Sequence, residues 1–218
     1  MKMRRLAILA AATLGVGSAT AFAATLNVGS WHVWTGSQTL TKATCTLTGS
    51  ASTTDTFVDE SRTGANDTVK TTSVQPNTGA RQWTFIRFDL SSCLIPTSGG
   101  ADTATLKLVV KTVPTGGRTL TVTPVLTTWA GATIDWIPAQ ALSYGATTTT
   151  FPTGTTNGAT LSIPVTIDID ALIKSATANY GWRITDGGTP ATGDTTLFNS
   201  SEATSAAARP QLVINYEK

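Results

Sequence analysis

The sequence predicts an all-β protein, a jelly-roll-like antiparallel β-sandwich with one short connector helix. Three observations predict it. Segments that alternate apolar and polar residues recur along the chain, punctuated by Gly, Pro, Asn and Ser, and a period of two is the pleat of a half-buried strand. Threonine, β-branched and suited to pleated surface, fills 45 of the 218 positions. One segment alone has the spacing and cap of a helix, and it is about two turns long.

The elements follow in chain order. Met1–Arg5 is basic, Leu6 to Val16 is apolar, and Ala21-Phe22-Ala23 has the small-x-small form of a cleavage site. Residues 1–23 therefore read as a signal peptide cut after Ala23, which implies export. The apolar run is about a dozen residues where a span needs roughly 20, so no membrane span is expected. Residues 24–54 read as an N-terminal extension in which Thr44–Thr48 alternates around Cys45 and Leu47, and 55–218 as the sandwich domain.

Trp83–Leu90 is a strand with Ile86, Phe88 and Leu90 on one face and Trp83, Phe85, Arg87 and Asp89 on the other. Leu106–Val113 puts Leu106, Leu108 and Val110 on one face and Lys107 and Lys111 on the opposite one. Leu120–Leu126 follows a Pro114–Gly117 turn, with Pro124 confining its end to an edge or bulge. Thr147–Thr156 reads as a Thr/Gly-rich loop and Leu161–Ile169 as an alternating strand. The helix is Asp170–Ala176, with Asp170 as N-cap and Leu172 and Ile173 as its apolar pair. Tyr180–Thr185, Thr195–Ser200 and Gln211–Tyr216 complete the strands. Trp129, Trp136 and Trp182 read as core residues or loop anchors.

Charge narrows the function. The net charge of +2 comes from 15 basic and 13 acidic residues, and leaving out Lys2, Arg4 and Arg5 of the leader brings the balance to 12 against 13. A nucleic-acid footprint is not expected from that balance. One His and two Cys leave no set for a typical zinc site. Cys45 and Cys93 are predicted to be bonded, since export permits a disulfide and they are the one available pair; the alternative is two buried thiols.

Catalysis finds little to work with. Asp168 and Asp170 would share a strand face about 7 Å apart, but a helix cap uses Asp170. His32 lies in the extension, and no Ser stands in a Gly-x-Ser-x-Gly elbow. Asp55, Asp59 and Asp67 cluster near the first strand of the domain and are the candidates for a structural calcium, with turn chemistry as the alternative. For a sugar ligand the outward aromatic and basic residues matter: rings stack on sugar faces, and Arg or Lys pairs with carboxylates. The candidate ligand-binding set is Trp83, Phe85, Arg87, Lys107 and Lys111; the alternative is that Phe85 and Arg87 pack beneath a neighbouring segment.

Several segments in order carry a resemblance: Asp55-Thr-Phe-Val-Asp-Glu60, Phe85-Ile-Arg-Phe-Asp-Leu-Ser91, Ala104-Thr-Leu-Lys-Leu-Val109, Trp129 and Trp136, Val165-Thr-Ile-Asp-Ile-Asp170, Asn179-Tyr-Gly-Trp-Arg-Ile184, Asn199-Ser-Ser-Glu-Ala203, and Arg209 to Tyr216. Over about Asp55–Tyr216 the chain resembles the DNRLRE domain family, which is also classed among carbohydrate-binding modules. The string Asp-Asn-Arg is absent; the nearest basic stretch is Gly79-Ala-Arg-Gln-Trp83. The resemblance implies a jelly-roll-like sandwich without catalytic activity. The expected function is a secreted non-catalytic module binding a polysaccharide, an acidic one in particular. The alternative is a structural cell-surface, adhesion or filament subunit that self-assembles through its N-terminal extension.

Overall fold

In β4 (Gln82–Phe88), Ile86 and Phe88 alternate with Phe85 and Arg87. In β5 (Thr103–Thr112), Leu106, Leu108 and Val110 alternate with Lys107 and Lys111. Both inward sets are buried in one core, but the two strands belong to different sheets. The computed structural model describes residues 41–62, 71–114, 116–174, 178–189 and 194–218.

The remaining strands among these residues are β1 (Lys42–Thr48), β2 (Thr53–Asp59), β3 (Thr71–Val74), β6 (Thr119–Pro124), β7 (Thr149–Pro152), β8 (Thr160–Pro164), β9 (Trp182–Asp186), β10 (Thr196–Asn199) and β11 (Gln211–Glu217). One sheet has the order β2-β4-β9-β6-β7; the other runs β1-β11-β5-β10-β3, with β8 also paired to β5. The strand pairs are antiparallel. Between the sheets lie Ile86, Phe88, Leu106, Leu108, Trp182, Ile184, Phe198 and Leu212, each at most 1 % exposed. The fold is the expected all-β sandwich.

β1 pairs with β11 along its whole length, from Lys42 opposite Glu217 to Thr48 opposite Gln211. The compact unit runs from Leu40 to Lys218. Residues 42–54, counted above with the extension, thus supply β1 and the start of β2. Signal peptide, cleavage site and the remainder of the extension fall outside the described residues. Among those described, no helix is long and apolar enough to cross a membrane.

The segment expected as one strand, Leu161–Ile169, is two elements. β8 stops at Pro164, and helix α2 occupies Thr166–Ile173. Val165, Ile169 and Ile173 are buried at the four-residue spacing of a helix face. Asp170 is therefore not an N-cap. It lies within α2 and pairs with Lys174 one turn on at 2.7 Å. A second helix, α1 (Trp136–Gln140), is capped by the Asp135 carboxylate, which accepts from the Trp136 N–H at 2.6 Å. At five residues it is too short to leave a periodic signature. β7 falls within the stretch expected as a Thr-rich loop.

Gly181 at the mouth of β9 has φ +70°, and a Cβ there would strike the Ile86 carbonyl oxygen. The absence of a side chain lets β9 close on β4 and sets the register that places Arg183 beside Phe85.

Candidate functional site

The outer face of the β2-β4-β9-β6-β7 sheet gathers the aromatic and basic residues. Register places Val58 of β2 beside Trp83, Thr56 beside Phe85, and Arg183 of β9 on the other side of Phe85. This face is not open along its length. The chain between β6 and β7 folds over it, and Trp129, Ile134, Trp136 and Ala139 build a second apolar cluster on Val58 and Phe85. Trp129 meets Phe85 at 5.5 Å between ring centroids, and its indole N–H donates to the Tyr180 carbonyl at 2.6 Å. Phe85 is fully buried. It is a structural residue, and the expectation that it meets a ligand is corrected: pleat and face were right, but a covering segment occupies the face. Trp129 and Trp136 are the anchors of that segment.

Beside this cover the rings and guanidinium groups form a ladder. Trp136 lies 4.3 Å from Trp83. The Arg183 guanidinium sits 4.6 Å from the Trp83 centroid and 3.6 Å from that of Tyr144. Arg81 lies 5.2 Å over Trp136, and Arg87 5.3 Å over Trp129. Such stacks hold a planar cation by the ring quadrupole and fix the direction of its N–H fork.

The three arginines differ in what else they touch. Arg81 binds Glu60 through two hydrogen bonds, Nε to Oε2 at 2.9 Å and Nη2 to Oε1 at 2.7 Å. That pairing holds the Glu60 carboxyl down at about 2. Arg183, half-buried, has no carboxylate within ion-pair distance among the described residues, and its buried Nε has no hydrogen-bond partner. Burial pulls its pKa down, and Tyr144 opposes this in part. Arg87 faces the cover at Trp129.

Arg81, Trp83 and Arg183 line one groove of about 410 Å³, with Thr185, Asp186 and Gly187 along its side. Asp186 is neutralised by Arg118, with Nε to Oδ2 at 2.6 Å and Nη2 to Oδ1 at 3.0 Å. Its charge does not cancel that of Arg183. The groove thus presents one half-buried ring and one guanidinium that has no carboxylate partner among the described residues. Arg81, Arg183 and Tyr144 were not among the sequence candidates. The alternation Trp182-Arg183-Ile184 marks Arg183 as outward, but its neighbours come from chain far away in sequence.

Lys107 and Lys111 do not join this set. Their strand β5 lies in the other sheet, and with Leu106 and Leu108 in the core they point from the opposite side of the sandwich. The expected single surface with Trp83 and Arg87 is corrected, because a strand's inward face does not tell which sheet holds it.

Of the calcium candidates, the two that are described, Asp55 and Asp59, do not converge. Asp55 stands opposite Ile86 and points inward, where it accepts from Ser201 N at 2.9 Å and Ser201 Oγ at 2.5 Å. Asp59, four positions on and about 13 Å along the strand, accepts from Ser61 N at 2.8 Å and Gln82 Nε2 at 2.7 Å. Asp67 lies outside the described residues. Among the described residues no three His, Cys, Asp or Glu are placed to hold a metal. Asp168 and Asp170 also part company: one bonds the Trp182 indole, the other Lys174.

The sequence profile of carbohydrate-binding module family 96 matches residues 46–216. The chain belongs to that family. No curated protein matches it. Family 96 is a class of carbohydrate-binding modules. Trp83 offers a ring for a sugar face, and Arg183 a fork whose geometry matches a carboxylate. The match begins within β1 and ends within β11, so it takes in both sheets.

Proposed function

We propose that the protein is a secreted, non-catalytic module that binds an acidic polysaccharide in the groove of Arg81, Trp83 and Arg183, and that its DNRLRE resemblance reflects the same kinship. The observation that carries this reading is Arg183, held between the Trp83 and Tyr144 rings with no carboxylate partner among the described residues. A desolvated guanidinium left without an anion is unfavourable alone and becomes favourable when a ligand carboxylate completes it. The neutral part of the sugar then lies against Trp83. The leader supports secretion, and so does the Cys45–Cys93 disulfide, which suits an oxidising compartment.

Titration calorimetry with a polyuronate and with its carboxyl-reduced counterpart tests the reading. The expected affinity for the acidic chain is in the micromolar to millimolar range. Carboxyl reduction should weaken it by about tenfold or more. Arg183→Lys keeps the charge but loses the planar stack and fork, and is expected to weaken binding by a similar factor. Equal binding of both chains, or an Arg183→Lys protein that folds and binds as the parent does, would count against the acidic ligand.

The second reading, a self-assembling surface subunit, is favoured by one observation. Among the described residues β1 is the terminal strand of its sheet, and the rest of the extension precedes it in the sequence. A terminal strand offers backbone groups to an added strand. A concentration-independent monomer in light scattering, with the extension present, would remove this alternative.

A further inference from the structure

A second pocket, of about 160 Å³, lies where α2 meets the beginning of β9. Trp182 and Asp168 line it together with Leu172 and Tyr180, and Leu126 and Ile167 stand at its rim, 48 % and 73 % exposed. Oδ2 of Asp168 accepts from the Trp182 indole N–H at 2.7 Å, and among the described residues no basic group lies within ion-pair distance of this carboxylate. The arrangement is a largely apolar recess with one uncompensated negative charge. Burial acts on that carboxyl accordingly, raising its pKa despite the indole bond.

We propose that this pocket takes the side chain of a lysine presented by another protein, its ammonium on Asp168 and its hydrocarbon stem along Leu172 and Tyr180. Three features select that ligand. The recess is close to the roughly 150 Å³ of a cavity that holds a benzene-sized group, which suits a four-carbon stem with a terminal nitrogen. A sugar ring would turn several hydroxyls toward apolar walls that offer one acceptor group, leaving most of them unmet. An arginine fork needs two acceptor oxygens, and one of the Asp168 pair already serves the indole, whereas an ammonium is satisfied by a point charge. The rim argues for a protein rather than a free amine. Leu126 and Ile167 offer exposed apolar area that a small amine leaves uncovered and a chain flanking the lysine would cover.

The test follows the Trp182 indole signal in proton–nitrogen NMR spectra of the oxidised protein. The probe is Nα-acetyl-lysine N-methylamide, with its Nε-acetylated form, the arginine analogue and glucosamine as separate arms. The expected result is a saturable shift with the lysine probe in the millimolar range, and none that saturates with the Nε-acetylated form. Asp168→Asn, which keeps an oxygen for the indole, should weaken the lysine probe by about tenfold or more. Ile167→Ser changes an exposed residue and should weaken it by a smaller factor, about two- to fivefold; it decides the matter if Asp168→Asn does not fold. The proposal is overturned by the absence of a saturating shift, by equal response to the Nε-acetylated probe, by a stronger response to the arginine analogue, or by a response to glucosamine alone. The polysaccharide groove is a separate site, so these outcomes leave its test untouched.

Discussion

Replacing Cys45 and Cys93 with alanine is expected to lower the stability of the sandwich by about 4 kcal/mol, the chain-entropy value for a bond closing a separation of 48 residues. The position of the bond makes the loss global. Cys45, in β1, stands opposite Ile214 of β11, and β1 is the terminal strand of its sheet among the described residues; Cys93 follows β4, an inner strand of the other sheet. Both half-cystines pack on the main core beside Leu90 and Ile95. The bond therefore ties the two layers at one edge, where β1 is otherwise held by the ladder to β11. Cutting it frees β1 to fray and also lengthens the loops of the unfolded chain. For a domain of this size the melting temperature should fall by about 10 °C. Denaturant unfolding of the parent with and without reductant, beside the double alanine variant, measures the effect. Coincident curves would show that the bond adds nothing. Titration of the unfolded, unreduced protein should meanwhile find close to no free thiol.

The parts of the fold legible in the sequence were those set by local periodicity. Ile86 and Phe88 against Arg87, and Leu106 and Leu108 against Lys107, need only the pleat, and both phases agree with the burial. What the pleat cannot give is which strands share a sheet. β4 and β5 are consecutive in the chain yet lie in opposite layers, and so Lys107 and Arg87 face opposite ways. The same non-local fact hid the groove: Arg81 and Trp83 come from one stretch, Arg183 from a strand about a hundred residues on, and the Tyr144 ring that holds Arg183 from a third. The cover over Phe85 has no period to read, since Trp129 and Trp136 act through single large contacts. Between Leu161 and Ile173 the pattern was ambiguous. Val165 and Ile169 fit both a two-residue and a four-residue repeat, and tertiary packing chose the helix after Pro164. Membership in a carbohydrate-binding family agrees with what the order of segments implied, because that order samples the whole domain at once.

Lowering the pH from about 7 to about 4.5 is expected to stabilise the protein, and Asp55 is the cause. Its inward place in β2, opposite Ile86, leaves it 4 % exposed beside Ser201, which is 0 % exposed. The Ser201 hydroxyl has one hydrogen but faces two carboxylate oxygens, Asp55 Oδ1 at 2.5 Å and Glu202 Oε1 at 2.7 Å. A proton on Asp55 completes the chain: Asp55 donates to Ser201 Oγ, and Ser201 donates to Glu202. Burial accordingly pushes the Asp55 carboxyl from 3.8 up to about 6, against the opposing Ser201 hydrogen bonds. A folded-state value above the unfolded one means that the folded protein binds the proton more tightly. The associated stability is complete below the unfolded value and is lost as pH rises through about 6. A shift of about two units corresponds to about 3 kcal/mol between the two limits. Glu60 works in the opposite sense: Arg81 holds it at about 2, so its contribution is full above the ordinary value of 4.5 and is lost progressively as pH falls from there toward 2, beginning at the acid edge of the window. Asp168, also raised by burial, adds to the trend, so the parent's slope is not Asp55's alone. Asp55→Asn isolates the effect. Its Oδ1 can still accept from Ser201 N–H while its Nδ2 donates to Ser201 Oγ, which reproduces the protonated arrangement at every pH. Urea unfolding at pH 4.5, 6 and 7.5 should therefore show the parent gaining stability toward acid and the variant gaining markedly less, with the two closest at pH 4.5. A parent that is most stable at pH 7.5, or a variant with the parent's full slope, would mean that Asp55 is ionised in the folded protein throughout.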